Sequence, residues 1–82
     1  MSRTVLVLYT GSGCHLCAQA RAIAEPVAAQ AGWSLVEQSI TGNAELMAAY
    51  GIRIPVLRTP DGRELGWPFS AGKMRRWLLA TG

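Results

Sequence analysis

The two cysteines of this chain stand three apart, in the run Gly11, Ser12, Gly13, Cys14, His15, Leu16, Cys17. Placed at random in 82 residues, two cysteines fall three apart in about 2% of arrangements, so the spacing suggests chemistry without proving it. Two thiols one helical turn apart can close into a disulfide and reopen, which moves two electrons with no cofactor. A thiol attacks only as thiolate, and at an ordinary pKa of about 8.5 only ~3% is ionised at pH 7. Chemistry at Cys14 therefore needs its negative charge to be stabilised. A helix that begins there does so, because unpaired N–H groups and the positive end of the helix dipole point at the sulfur. Lowering the pKa by about two units takes ~3 kcal/mol, which dipole and hydrogen bonds together can supply.

Cys17, one turn further into such a helix, is less exposed and suits the resolving role, displacing a reduced partner from a mixed disulfide with Cys14. His15 is the single histidine. Protonated, it would stabilise the thiolate; neutral, it could relay a proton; the plainer reading is an exposed helix-start residue. Gly11 and Gly13 remove side-chain bulk around the attacking sulfur, although a flexible turn would explain them equally.

Rival chemistries fit less well. Zinc wants four ligands, and two thiols with one adjacent histidine close a site only if a second subunit contributes. A shared iron–sulfur cluster has the same requirement. Haem attachment of the cytochrome type needs a histidine directly after the second cysteine, where Ala18 stands. A purely structural disulfide across so short a loop restrains little chain entropy, and a cytosol would keep it reduced.

The elements that must position these residues follow from patterning. Residues 4–9 form a continuous apolar run that suits a central strand buried on both faces. Residues 14–31 repeat apolar side chains at Leu16, Ala20, Ile23, Val27 and Ala31, one helical face, with Gly32 as the stop and a kink expected at 22–26 because Pro26 lacks a donor. Residues 33–40 read as a second strand, and Thr41, Gly42 and Asn43 turn the chain into a short helix over 44–50, ended by Gly51. Residues 52–59 are extended and broken by Pro55, residues 59–62 make a tight turn, and 64–67 return antiparallel. Ser70 caps a last helix over 71–80, with Met74, Trp77 and Leu78 on one face. Tryptophans and tyrosines in so small a chain are expected in the core, with Trp67 a candidate border of a substrate groove. The order β-α-β-α-β-β-α makes an α/β fold, a mixed four-stranded sheet with helices on both faces.

Length and composition agree. Eighty-two residues make one domain, 1–82, and 50% apolar with 16% charged residues is the composition of a folded chain. A net charge of +3 tolerates acidic partners without demanding them, and no dense basic face with interleaved aromatics points to nucleic acid. No apolar run exceeds five residues, too short for a membrane span or a secretory leader, so a cytoplasmic location and a monomer are expected.

Residues 9–17, Tyr-Thr-Gly-Ser-Gly-Cys-His-Leu-Cys, followed some 40 positions later by Ile54, Pro55 and Val56, resemble the pattern of small glutaredoxin-like proteins of the thioredoxin-fold superfamily. The resemblance covers nearly the whole chain. It implies a thiol-disulfide oxidoreductase with Cys14 as nucleophile, Cys17 as resolver and a cis-proline at Pro55 facing them. It implies also that Gly13, Ile54 and Pro55 border the substrate, with the backbone of Ile54 hydrogen-bonding an extended segment of a disulfide-bearing protein or small thiol. Glutaredoxins that use glutathione usually carry a basic residue shortly before the first cysteine, where this chain has Gly11 and Ser12, and a Gly-Gly pair before the last helix, where it has Trp67 to Lys73. Thioredoxins usually bury an acid on the first strand, where this chain has only Val5, Leu6, Val7 and Leu8. No metal and no cofactor is expected, glutathione being the one small thiol the resemblance suggests. Slow resolution by Cys17 follows if His15 or water must take its proton. The alternative is a protein-interaction module, redox-inactive or slow, that shares a metal or cluster between subunits.

Overall fold

A computed structural model describes residues 4–80. Its elements are β1 (Val5–Thr10), α1 (His15–Gln30), β2 (Ser34–Ser39), α2 (Ala44–Tyr50), β3 (Val56–Arg58), β4 (Glu64–Gly66) and α3 (Ala71–Leu79). The strands form one sheet in the order β2-β1-β3-β4, so β1 is central as its apolar run implies. β1 and β2 run parallel across the α1 crossover, while β1/β3 and β3/β4 are antiparallel. This is the mixed four-stranded α/β sheet expected of the glutaredoxin-like arrangement.

Side chains alternate across β1. Leu6 and Leu8 are fully buried against α1 and α3, in a cluster with Ala20, Ala24, Val27 and Ala28 of the first helix and Met74 and Leu78 of the last. Small alanines there let α1 lie close to the sheet. On the opposite face Tyr9 and Val56 pack with Ile40 and with Tyr50 of α2, the two tyrosine rings stacked at 4.4 Å. Helices therefore cover both faces, but unequally. α2 has seven residues and rises only ~10 Å, so it covers the Tyr9 end of the sheet and leaves Val5 and Val7 half-exposed. The expectation that β1 is buried on both faces fails for that reason.

Other differences are local. The buried stripe of α1 is Cys17, Ala20, Ala24, Val27 and Ala28, while Leu16 and Ile23 are only half-buried and Ala31 is exposed. The helix is rotated so that its small residues, rather than its larger ones, meet the sheet. α1 is one continuous helix through Pro26, which lies on its exposed side. β3 is shorter than the extended stretch in the sequence, because the chain still turns through 51–53 and Pro55 has no donor for the ladder. The turn at 59–62 closes as expected, Gly62 N–H donating to Thr59 O at 3.0 Å with Gly62 at φ 92°. Trp77 and Trp67 are half-buried at the rim of the core rather than inside it. The Arg63 guanidinium sits 5.3 Å from the Trp77 ring centre.

Candidate active site

Cys14 is the N-cap of α1. Its backbone is extended (φ −88°, ψ 95°), and its Sγ accepts the N–H of Cys17 at 3.2 Å. The sulfur thus takes the place of the hydroxyl or carboxylate oxygen that usually satisfies an orphan N–H at a helix start. The same donor and the dipole behind it stabilise negative charge on that atom. Cys14 is half-exposed, whereas Cys17, on the sheet-facing stripe, retains 2% exposure. The two are joined as a disulfide with Cα atoms 5.3 Å apart, inside the usual range for such a bond. One sulfur is accessible and the other is shielded.

Gly13 precedes Cys14 at φ 71°, a left-handed conformation that an L side chain adopts only with strain. That bend lets the strand feed a helix whose first N–H groups face the cysteine. His15 opens the helix and is exposed to solvent.

The sheet register brings the proline segment to the same end of the molecule. Tyr9 lies opposite Val56 in the antiparallel β1/β3 pair, so the residues after Tyr9 meet those before Val56. Gly11 thereby abuts Ile54, close enough that a Cβ at position 11 would stand 2.7 Å from Ile54 Cδ1. Ile54 is half-exposed and Pro55 buried, and the peptide bond between them is cis, as is that between Trp67 and Pro68. The structure thus gathers Gly11, Gly13, Cys14, Cys17 and the 54–55 segment at the end of the sheet from which β1 exits.

Three supports of this arrangement are not evident in the sequence. Thr41, read there only as a turn residue, accepts the N–H of Ser12 at 3.1 Å and pairs with the Ser12 hydroxyl at the same distance. It ties the cysteine loop to the β2–α2 connection. On the other side, Glu64 of β4 accepts the Tyr50 hydroxyl and an Arg53 N–H, each at 2.6 Å, which anchors the chain just before Ile54. These hydrogen bonds, that of Tyr50 first, hold the Glu64 carboxyl below its ordinary pKa. One turn beyond Cys17, Arg21 grips Glu37 of β2 through two hydrogen bonds of 2.6 and 2.7 Å, and the buried Thr10 hydroxyl donates to the same carboxylate at 3.2 Å. The Arg21 contact, foremost, lowers the pKa of Glu37. Among the described residues no three of His, Cys, Asp and Glu come together as a metal-binding group. None of the helices there is long and apolar enough to cross a membrane.

A four-stranded mixed sheet, a cysteine pair at the start of the first helix and a proline segment at the same end of the sheet define the thioredoxin-like class of fold. Residues 5–79 match the glutaredoxin-like domain family (DUF836), and the chain belongs to that family. Among solved structures, the X-ray structure of the structural genomics target XcR50 from X. campestris is 44% identical, with TM-score 0.82 over 92% of this chain and 96% of that one. Its solution structure gives TM-score 0.78 at the same identity, covering 92% of each chain. The solution structure of Ne2328 from Nitrosomonas europaea is 26% identical, with TM-score 0.76 over 94% of this chain and 93% of that one. No curated protein matches. Family and dithiol together fit a thiol-disulfide oxidoreductase-like role.

Proposed function

We propose that the protein exchanges disulfides with a protein or small-thiol partner through Cys14 and Cys17. The observation that carries this reading is the asymmetry of the pair: Cys14 is half-exposed and accepts a helix-start N–H at 3.2 Å, while Cys17 is 2% exposed. In the reduced protein the Cys14 thiolate attacks one sulfur of a partner disulfide. That S–S bond breaks, a Cys14–partner bond forms, and the departing partner thiolate takes a proton from solvent. Cys17 then loses its proton and attacks Cys14 Sγ, closing the intramolecular disulfide and releasing the second partner thiolate. Two electrons pass from the dithiol to the partner, and no cofactor takes part. The reverse sequence oxidises a dithiol partner.

Gly13 and the Ile54–Pro55 segment border the path to Cys14; the Ile54 N–H is held by Tyr50 O at 3.1 Å, so it is the Ile54 carbonyl that accepts from an extended substrate strand. His15, exposed at the first helical position, adds positive charge near Cys14 when protonated. Glutathione is an acceptable small partner by thiol chemistry, without the basic residue that usually holds it. The compartment is cytoplasmic and the working unit a monomer under this reading, since the cycle needs only one chain.

The test is trapping. Cys17→Ser leaves the first step intact and removes the second, so a mixed disulfide through Cys14 accumulates in cell extract and disappears with dithiothreitol. Cys14→Ser forms none. Alkylation of reduced Cys14 by iodoacetamide follows an apparent pKa below the ~8.5 of a free thiol. An apparent pKa at or above that value, or equal trapping by the Cys14→Ser variant, overturns the proposal.

A further inference from the structure

The half of the sheet that α2 leaves uncovered has an apolar floor and, beside it, one arginine, Arg58, that forms no ion pair among the described residues. Val5, Val7 and Tyr9 alternate onto that face from β1. Val36 stands beside Val7 in the parallel register and is 46% exposed. On the other side Val7 pairs with Arg58. Between β1 and the β3–β4 turn lies a shallow groove of about 440 Å³ lined by Val5, Val7, Tyr9, Arg58, Thr59 and Pro60. That volume falls within the range of small-molecule sites.

Among the described residues Arg58 is the only charged one lining the groove. Its cross-strand neighbour is Glu64, the natural partner for it. Yet both oxygens of Glu64 are already engaged, one by Arg53 and the other by the Tyr50 hydroxyl, each at 2.6 Å. Two arginines thus share one carboxylate, and Arg53 holds it. Among the described residues Arg58 makes no ion pair. The Arg58 guanidinium meets the Tyr9 hydroxyl, but it has five N–H donors in a planar fork that matches a carboxylate, so the donors left over make the rim of the groove an anion acceptor beside apolar surface.

We propose that this groove binds a small carboxylate with an apolar body, its acid group on Arg58 and its body over Val5, Val7 and the exposed side of Val36. A neutral molecule forfeits the charged contact, and a cation meets the repulsion of Arg58 and Arg53. A second copy of the chain would bring like charges together, each chain carrying +3. The site lies on the sheet face opposite α1 and toward the start of β1, away from the end that leads to Cys14. It is independent of the dithiol chemistry, and either reading can fail without the other.

The experiment is an amide-resolved NMR titration of the oxidised full chain with naphthoate and with its neutral amide. Naphthoate shifts the amides of Val5, Val7, Val36, Arg58 and Thr59 saturably, and naphthamide binds about 10-fold more weakly or less. Arg58→Gln abolishes the difference between the two probes. Val36→Glu, at an exposed position that leaves the fold intact, weakens naphthoate by a similar factor through a repelling charge on the floor. The proposal is overturned by equal binding of the two probes, by shifts confined to residues 11–17 and 54, by absence of a saturable shift, or by a dimer in sedimentation that occupies this face instead.

Discussion

At the scale of single residues, the site depends on where two sulfurs sit relative to one helix start. Cys14 and Cys17 are chemically identical, and only their places on α1 separate an accessible sulfur from a buried one. Gly13 sets that place. With φ at 71° and open space around its would-be Cβ, replacement by alanine meets no clash and costs only the left-handed strain, about 1 kcal/mol. Gly13→Ala should therefore lower the thermal midpoint by a few degrees and slow alkylation of Cys14. Gly13→Asn should recover part of both, since asparagine tolerates this conformation better. Midpoints and alkylation rates that match those of the parent chain would show that the loop reaches the same geometry by another route.

Among the elements, α1 has the more demanding task, because it must present Cys14 at its tip while packing along the sheet. Small residues on its inner stripe permit the close approach, and Pro26 on its outer side is the evident cost. Proline removes a donor from the helix interior, and alanine is about 3 kcal/mol more favourable there in model helices. Pro26 also restricts the unfolded chain, which offsets part of that difference. Pro26→Ala should thus stabilise the protein by about 1–2 kcal/mol in urea unfolding, with no change in trapping by Cys17→Ser; destabilisation would mean that the helix depends on proline for its packing angle. α3 illustrates the opposite case, a terminus already well made. Its cap Ser70 accepts the Lys73 N–H at 3.1 Å, a contact readable in the sequence because serine stands directly before an amphipathic run.

For the whole molecule, charge pairs tie elements that the small core alone joins loosely. Glu37 links β2 to α1 through Arg21, and Glu64 links β4 to α2 and the segment before Ile54 through Tyr50 and Arg53. Both carboxyl groups have pKa values held below their ordinary 4.5, so the unfolded chain binds more protons than the folded one in acid. Their stabilisation is complete above the ordinary value and is lost as pH falls through the lowered ones. The urea midpoint should drop between pH 6 and pH 3, and Glu64→Gln should both lower it at pH 6 and flatten that dependence. A midpoint independent of pH over this range would show that the pairs contribute nothing to folding.

Much of this was readable from residue types alone. Apolar continuity located β1, proline, glycine and asparagine marked the turns, and the cysteine spacing beside a helix start located the dithiol, because each of these signals is local in the chain. The extent of α2's cover, the engagement of Thr41 with Ser12, and the contest of Arg53 and Arg58 for Glu64 were not readable. They join residues from 6 positions apart, Arg58 and Glu64, to 41 apart, Tyr9 and Tyr50, and such pairings exist only once the sheet register has been set. The sequence alone determined which atoms could react. Tertiary packing decided which of them solvent reaches, since burial is a property of neighbours brought together by folding and not of any one residue.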